Sequence, residues 1–180
     1  MQTGALHLKY RPSKLADFKG EINEGIVESL QQQLQKNWEQ IPRSFLFIGP
    51  SGCGKTTLAR IVASELGCSQ RDFNELNAAN TRGIDTIREI SSNCKMAPLE
   101  GKMRTYLIDE CHAQTKDAQN ALLKLLEDTP EHVFIFLCTT DPQNLLETIK
   151  NRCSIYQVGL WENNEIYRHL KEITQIENGQ

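Results

Sequence analysis

The residues whose types and spacing best fit chemistry form one run, GPSGCGKT, at positions 49–56. The run matches the pattern G-x-x-x-x-G-K-[ST] in full. In such a loop consecutive backbone N–H groups face phosphate oxygens, the lysine reaches the β and γ phosphates, and the last hydroxyl binds Mg²⁺. The pattern therefore predicts a site for a magnesium-bound nucleoside triphosphate.

Position in the run predicts a role for each residue. Lys55 is expected to contact the β and γ phosphates, Thr56 to bind magnesium and Thr57 to lie near the α phosphate. The remaining positions of the predicted cradle are Gly49, Pro50, Ser51, Gly52, Cys53 and Gly54. A glycine-rich turn without chemical consequence is the alternative. A predicted strand directly before the run and a predicted helix directly after it argue against that alternative.

A second candidate is the acidic pair Asp109-Glu110, which follows the apolar run 105–108. This is the form of a Walker B strand, in which the first carboxylate positions magnesium and the second polarises the attacking water. An acidic pair after a strand is more often a solvated strand end, but an intact phosphate loop in the same chain reverses that preference. The next residues, Cys111 and His112, are interpreted as the start of a helix, because adjacent ligands on one turn do not easily converge on one metal ion.

Helices and strands must position these candidate residues, and the hydrophobic periodicity of the sequence predicts where those elements lie. Helical spacing appears in residues 22–34, 55–66, 84–94, 115–127 and 162–176. Short apolar runs typical of strands lie at 44–48, 73–76, 105–108, 132–138 and 154–158. Alternation of this kind predicts a parallel sheet between layers of helices, an α/β fold. The proposed boundary lies near Gly159, which divides the chain into residues 1–159 and 160–180.

Composition narrows the class of protein. A chain of 180 residues with 39% hydrophobic and 24% charged residues can bury one substantial core. The net charge of −3 argues against a uniformly basic DNA-binding surface, so any nucleic-acid contact must be local. No run is long enough for a membrane span and no secretory signal is recognisable, which predicts a cytoplasmic protein without a membrane partner. The six cysteines are scattered singly, which favours reduced thiols.

Further motifs resemble the AAA+ ATPases of DNA polymerase clamp loaders. Residues 9–12 (KYRP) and 15–20 (LADFKG) look like the opening of that family. Residues 120–127, 139–143 and 151–153 are similar to the bacterial gamma/tau subunits, and residues 82–85 (RGID) resemble the small subunits of replication factor C. The likeness runs collinearly over about residues 8–177.

The resemblance implies a fold and a division of the chain. The expected fold is a three-layer αβα P-loop NTPase whose five-stranded parallel sheet has the order 5-1-4-3-2. Residues 1–159 would form the nucleotide-binding domain, and residues 160–180 the truncated beginning of a helical lid.

The resemblance also assigns nucleotide-sensing residues. Those expected to line the adenine and ribose side are Tyr10, Arg11 and Pro12. Thr140, or Thr139 if the register differs by one, would be sensor 1, which senses the γ phosphate and orients water. Arg152 would act in trans as an arginine finger on a neighbouring subunit's nucleotide. The alternatives are a flexible arm, a strand-end threonine favoured by β propensity, and a surface arginine.

Macromolecular contacts follow by the same resemblance. Candidate contacts to DNA phosphates are Arg82, Arg88 and Lys116, although solvated helix faces would explain all of them. Met96 is the candidate contact with a sliding clamp, and a core position is the alternative.

The sequence departs from the gamma/tau pattern in two respects. Cys68 stands near the first position of that family's four-cysteine zinc module and no further cysteines complete the module, so we predict no zinc. The lid is only begun. The preferred hypothesis is an ATP- and Mg²⁺-dependent module of a clamp loader that works with neighbouring subunits, a sliding clamp and primer-template DNA. A nucleotide-gated scaffold with little hydrolysis remains the alternative, and a helicase is disfavoured because no second helicase core is present.

Overall fold

The computed structural model describes residues 5–178. Residues 1–4 and 179–180, the outer ends of the two predicted domains, lie outside the described residues. The strands are β1 (Ser44–Ile48), β2 (Cys68–Asn77), β3 (Met103–Asp109), β4 (Val133–Thr139) and β5 (Ser154–Gln157). The helices are α1 (Leu6–Lys9), α2 (Glu24–Leu34), α3 (Lys55–Glu65), α4 (Ile84–Asn93), α5 (Lys116–Glu127), α6 (Glu147–Lys150) and α7 (Asn163–Asn178).

The strands form one parallel sheet in the order β2-β3-β4-β1-β5. This is the predicted order read from the other edge, so the expected α/β fold is confirmed. Every residue of β4 is buried, as are all residues of β3 except the last. Central strands of a parallel sheet read as continuous apolar runs because helices cover both of their faces.

Two hydrophobic cores lie on the opposite faces of the sheet. Phe45 and Phe47 of β1 face one core together with Phe134 and Phe136 of β4. Leu46, between the two phenylalanines of β1, faces the other core. Successive side chains of a strand point to opposite faces, so a short apolar strand supplies both cores at once. This packing holds the carboxyl ends of β1, β3 and β4 side by side at one sheet edge.

Some element bounds differ from those predicted. β2 runs over Cys68–Asn77, longer than the predicted 73–76, because a register shift against β3 lets a polar first half pair as well. Ile22 does not join the buried face of the helix predicted over residues 22–34, because it lies in a 3-10 turn before α2 and is 62% exposed. Thr115 precedes α5 as its N-cap, where its hydroxyl accepts a hydrogen bond from the Ala118 N–H group.

All six cysteines are free thiols, and four of them are buried. Burial raises the pKa of Cys94 to about 11 and that of Cys153 to about 12. High thiol pKa values disfavour the reactive thiolate, so these side chains act as small apolar residues. Among residues 5–178, no helix combines the length and apolar character needed to cross a bilayer.

Candidate nucleotide-binding and hydrolysis site

The glycine-rich loop connects β1 to α3, as the motif predicts. Gly52 and Gly54 have positive φ angles of 80° and 96°, a region that favours glycine. At Gly49 only glycine fits, for a steric reason: a Cβ there would lie 2.1 Å from the Val158 carbonyl oxygen. The loop therefore curls tightly against the end of β5, and its geometry depends on these glycines.

Lys55 begins α3 and is 6% exposed. Its ammonium group donates hydrogen bonds to the carbonyl oxygens of Gly49 (2.9 Å) and Pro50 (2.8 Å), which places it across the mouth of the loop. A buried ammonium group enclosed by backbone is suited to bind phosphate oxygens, which are stronger acceptors than carbonyls. The loop thus has two features of an anion site, a buried ammonium group and the N-terminus of an eleven-residue helix.

The two predicted magnesium ligands meet in front of this loop. The Thr56 hydroxyl donates to Asp109 Oδ2 at 2.9 Å, although the residues come from different elements, α3 and β3. The other carboxylate oxygen, Asp109 Oδ1, accepts the Glu110 N–H group at 2.9 Å. Hydroxyl and carboxylate oxygens are the donors that Mg²⁺ prefers, so this pair fits that ion. Within residues 5–178, no group of three or more histidine, cysteine or acidic side chains could hold a metal by itself.

Glu110 lies directly after β3 in a left-handed backbone conformation, with φ 49° and ψ 42°. This conformation is uncommon for residues other than glycine, and such residues concentrate at functional sites. The Thr140 hydroxyl donates to Glu110 Oε2 at 3.0 Å. The predicted water-activating carboxylate and the preferred sensor residue are therefore in contact.

The two candidate sensor threonines have different surroundings. Thr139 ends β4 and is fully buried, and its hydroxyl accepts the Asp141 N–H group at 3.0 Å. Thr140 is exposed and faces Glu110. Of the two threonines, only Thr140 hydrogen-bonds to the acidic pair through its hydroxyl, which favours it as sensor 1, and the assignment stays a prediction.

A cleft of about 750 Å³ opens beside the phosphate loop. Tyr10, Arg11 and Pro12 are among the residues that line it, and their place on the base and ribose side stays a prediction. Other lining residues come from the phosphate loop and helix α3 (Gly52, Cys53, Gly54 and Thr57) and from the C-terminal segment (Leu160, Trp161, Asn163, Ile166 and His169). The volume lies within the usual range for small-molecule sites, 300–1,000 Å³, and it adjoins the phosphate cradle.

Trp161 and His169 are cleft residues that the sequence interpretation did not single out. Their rings make an edge-to-face contact with centroids 5.1 Å apart, and the Trp161 indole N–H donates to the Lys19 carbonyl at 2.7 Å. Neither residue belongs to a sequence motif, so only their position in the fold marks them.

Gln119 is a third residue that no sequence signal marks. It is 3% exposed, and its side-chain amide donates to the carbonyl oxygens of Gln114 and Asn144 and accepts the Leu146 N–H group. This buried amide ties α5 to the segment that follows the sensor threonines.

Arg152 lies away from the phosphate loop, in the turn after α6. Its guanidinium donates to the Thr148 carbonyl at 2.9 Å and forms an ion pair with Glu127. The residue is exposed, which a role toward a neighbouring molecule requires. The structure does not bring it to this chain's own candidate site.

The predicted macromolecular contacts are also outside the cleft. Arg82 and Lys116 stand at adjoining helix starts, since the Thr115 N–H group donates to the Arg82 carbonyl at 3.1 Å. Arg88, one turn along α4, pairs with Asp85 at 3.2 Å. Met96 is 54% exposed, which argues against the alternative that it belongs to the core. Leu99, nearby in the chain, is 69% exposed.

Comparison with known proteins agrees with this geometry. The family model described as DNA polymerase III, delta subunit, matches residues 73–160. Among solved structures, the RuvB Holliday junction branch migration motor of Thermotoga maritima is similar with a TM-score of 0.66 and 26% identity, over 84% of this chain and 48% of that one. The chain has the AAA+ P-loop fold.

Several curated relatives are DNA polymerase III subunits of the gamma/tau kind. The DNA polymerase III gamma/tau subunit of Mycobacterium tuberculosis is 35% identical over 84% of this chain, and the tau subunit of Escherichia coli is 33% identical over 99%. The chain spans 30% of the length of each of these relatives. A gamma-subunit-related structure from Thermotoga maritima has the same AAA+ fold, with a TM-score of 0.62 and 24% identity over 81% of this chain and 49% of that one. The resemblance to the gamma/tau subunits is therefore confirmed.

Proposed function

We propose that this chain is an ATP-binding and ATP-hydrolysing AAA+ module of a DNA polymerase clamp loader. The observation that carries the proposal is the 2.9 Å hydrogen bond between Thr56 and Asp109. It brings the two proposed magnesium ligands together, one from the start of α3 and one from the end of β3. The resemblance to DNA polymerase III gamma/tau subunits supports the clamp-loader context and a cytoplasmic location.

Nucleotide binding divides among three parts of the fold. The loop amides of residues 49–54 and the Lys55 ammonium would hold the phosphates, with Thr57 near the α phosphate. Thr56 and Asp109 would hold Mg²⁺, which supplies charge neutralisation at the β and γ phosphates. The arm residues Tyr10, Arg11 and Pro12 would line the base and ribose.

Hydrolysis needs a water molecule that is oriented and partly deprotonated. Glu110 would accept a proton from this water while the water oxygen bonds to the γ phosphorus. The bond between the γ phosphorus and the oxygen that bridges it to the β phosphate breaks in the same step. Thr140 would orient the same water beside the γ phosphate. Arg152 would stabilise the charge that develops on a neighbour's nucleotide, so full activity requires assembly.

Partners complete the proposal. The chain would work with other clamp-loader subunits to open a sliding clamp and place it on primer-template DNA. Met96 would contact the clamp, and the candidate contacts to DNA are Arg82, Arg88 and Lys116. Residues 160–180 would be the beginning of a helical lid that follows the nucleotide domain 1–159.

The connection from α3 to β2 supports the proposal that no zinc module is present. It consists of Leu66 and Gly67 alone, and Gly67 takes a left-handed φ of 85°. Cys68 then starts β2 directly. The alignment with the Escherichia coli relative extends over 199 residues, more than the 180 of this chain, so that relative has residues without a counterpart here.

Calorimetric titration with magnesium-ATP tests the site. Lys55→Ala is expected to weaken ATP binding by at least a hundredfold, because the buried ammonium is the principal charge facing the phosphates. Lys36→Ala removes an exposed lysine at the end of α2 and serves as the control. Equal affinity in the unsubstituted chain and Lys55→Ala would refute the assignment.

Hydrolysis separates the enzyme from the nucleotide-gated scaffold. Glu110→Gln is expected to keep ATP affinity and to slow single-turnover hydrolysis by about 10²–10⁴, the usual contribution of a general base. An enzyme module gains activity when partner subunits are added, whereas a scaffold does not. Hydrolysis by Glu110→Gln at the unsubstituted rate would remove Glu110 from the mechanism.

A further inference from the structure

His112 is a polar side chain beside the proposed site that the proposed function does not use. It lies in the 3-10 turn Cys111–Ala113, directly after Glu110. Its Nδ1 atom lies 3.0 Å from the Thr139 hydroxyl and 3.3 Å from Glu110 Oε2. The side chain is 22% exposed, so its contacts are mostly with protein.

The neighbours of Nδ1 decide which tautomer fits. An ionised carboxylate accepts hydrogen bonds and donates none, so a bare Nδ1 lone pair would face the Glu110 oxygen unfavourably. The Thr139 hydroxyl already accepts one hydrogen bond, from the Asp141 N–H group, and has a second lone pair available. A hydrogen on Nδ1 can therefore be donated to the Thr139 hydroxyl at 3.0 Å, and it turns the positive edge of the ring toward the Glu110 carboxylate at 3.3 Å.

The contact has a consequence for the two oxygens of Glu110. Oε2 accepts a hydrogen bond from the Thr140 hydroxyl at 3.0 Å and lies 3.3 Å from the Nδ1 atom of His112. Oε1 has no hydrogen-bond partner among residues 5–178. One oxygen is thus tethered, and the other is left to accept a proton from water.

The backbone makes such a tether useful. Glu110 follows the strand in a left-handed conformation, where neither a strand ladder nor a helix fixes the direction of its side chain. The tether runs from Glu110 through His112 to Thr139, which is fully buried and ends β4.

We propose that His112 is a positioning residue for hydrolysis, which holds the Glu110 carboxylate in register with the end of β4. The inference rests on the proposed ATPase function and adds to it a residue that acts through Glu110 and does not touch the nucleotide. A displaced general base loses rate steeply with distance, whereas phosphate binding at Lys55 does not depend on it. Loss of His112 should therefore lower the hydrolysis rate and leave ATP affinity unchanged.

Substitutions of different reach test this role. The amide nitrogen of asparagine can occupy the place of Nδ1, whereas the glutamine amide matches the more distant Nε2. In single-turnover hydrolysis with the chain in excess, His112→Ala is expected to be at least about tenfold slower, with the dissociation constant for magnesium-ATP within twofold of the unsubstituted value. His112→Asn should recover most of the rate, and His112→Gln should not.

A second variant changes the buried residue that His112 contacts. Thr139→Val keeps the side-chain volume and removes the hydroxyl that His112 contacts, so a smaller loss of rate with unchanged affinity is expected. His132→Ala is the matched control, because His132 is a part-exposed histidine that contacts the Met96 carbonyl at 3.1 Å, away from Glu110. This control should hydrolyse at the unsubstituted rate, and thermal unfolding should show that each variant is folded.

The outcomes separate the two proposals. If the unsubstituted chain hydrolyses ATP and His112→Ala matches its rate, the role of His112 is wrong and the proposed function stands. Equal rates for the asparagine and glutamine variants, or a parallel loss of affinity, would also overturn the positioning role. If the unsubstituted chain binds ATP but never hydrolyses it, the hydrolytic function and the role of His112 fall together.

Discussion

Asp72 and Glu110 show how hydrogen-bond donors decide what a carboxylate does in this chain. Asp72 is fully buried, and it accepts the N–H groups of Leu99 (2.5 Å), Glu100 (3.0 Å) and Gly101 (2.7 Å). Glu110 has a side chain 31% exposed and keeps one oxygen without a partner among residues 5–178. The first carboxylate is occupied by the fold, whereas the second is available for chemistry.

The charge of Asp72 gives a prediction about stability and pH. Burial alone would raise the pKa of Asp72, but the hydrogen bonds from Gly101, Leu99, Ser69 and Glu100 outweigh it and hold the pKa well below its usual range. Asp72→Asn is expected to lower the free energy of unfolding at pH 7 by about 1–3 kcal/mol, because buried N–H groups lose an ionised acceptor. Urea unfolding measures this difference.

The pH dependence follows from the direction of the shift. A folded pKa below the unfolded value, about 3.9, stabilises the fold above that value, and this stabilisation is lost as the pH falls toward the folded pKa. The difference in the free energy of unfolding between Asp72→Asn and the unsubstituted chain should therefore become smaller below about pH 4. If this difference in unfolding free energy stayed constant from pH 7 to pH 3, the charge of Asp72 would contribute nothing to stability.

At the scale of elements, the phosphate loop depends on the strand beside it. The Val158 N–H group donates to the Ile48 carbonyl at 2.7 Å, and the Val158 carbonyl packs against the Cα of Gly49. The Gly49 N–H group in turn donates to the Thr139 carbonyl at 3.2 Å. The ends of β1, β4 and β5 are thus locked together where the loop begins.

Gly49→Ala tests this dependence. A Cβ at 2.1 Å from the Val158 carbonyl oxygen meets backbone that cannot move without separating β1 from β5. We expect a loss of several degrees in melting temperature and weaker ATP binding. Gly25→Ala is the control, because Gly25 lies within α2 with nothing within 4 Å of an added Cβ, and alanine is favoured over glycine in helices by about 1 kcal/mol. Similar melting temperatures for the two variants would contradict the steric argument.

At the scale of the whole molecule, side-chain contacts join the two ends of the described chain. Glu177 of α7 accepts hydrogen bonds from Lys9 Nζ (2.7 Å) and from the Tyr10 hydroxyl (2.5 Å). Near the other end of α7, Arg168 pairs with Glu21 at 3.2 Å, and Glu165 accepts the Glu21 N–H group at 2.7 Å. The arm that would cover the base is therefore tied to the helix proposed as the beginning of the lid.

Tryptophan fluorescence should report nucleotide in the cleft. Trp161 lines the cleft, whereas Trp38 makes an edge-to-face contact with Phe134 in the core and is not among the cleft residues. Magnesium-ATP is expected to change the emission of the unsubstituted chain and of Trp38→Phe. Trp161→Phe should lose this change and still bind ATP by calorimetry. An unchanged response in Trp161→Phe would place the base elsewhere.

Arg152 belongs to the scale of an assembly. It is exposed and held by Glu127 and the Thr148 carbonyl, apart from this chain's own phosphate loop. If it acts in trans, Arg152→Ala should leave single-turnover hydrolysis by the isolated chain unchanged and lower that of an assembly with partner subunits by about a hundredfold or more. Glu127→Gln, which releases the arginine, should not reduce the activity of the assembly. Equal losses in the isolated chain and the assembly would contradict action in trans.

The sequence by itself determined the order of the main strands and helices and the place of the phosphate loop, whereas the sheet order came from the resemblance to clamp-loader ATPases. The element order and the place of the loop depend on local information: hydrophobic period, turn glycines and a contiguous motif that includes Lys55 and Thr56. The polar first half of β2 escaped prediction, because its pairing comes from β3 and not from its own residue types.

Tertiary structure alone decided how distant residues meet at the site. It buried Thr139 and turned Thr140 toward Glu110, a distinction that two adjacent threonines do not carry in their sequence. It also brought His112 to the end of β4 and placed Trp161 in the same cleft as Tyr10, Arg11 and Pro12. The physical reason is that these contacts join segments far apart in the chain, so they arise from the packing of the strands and α7 and not from any local pattern.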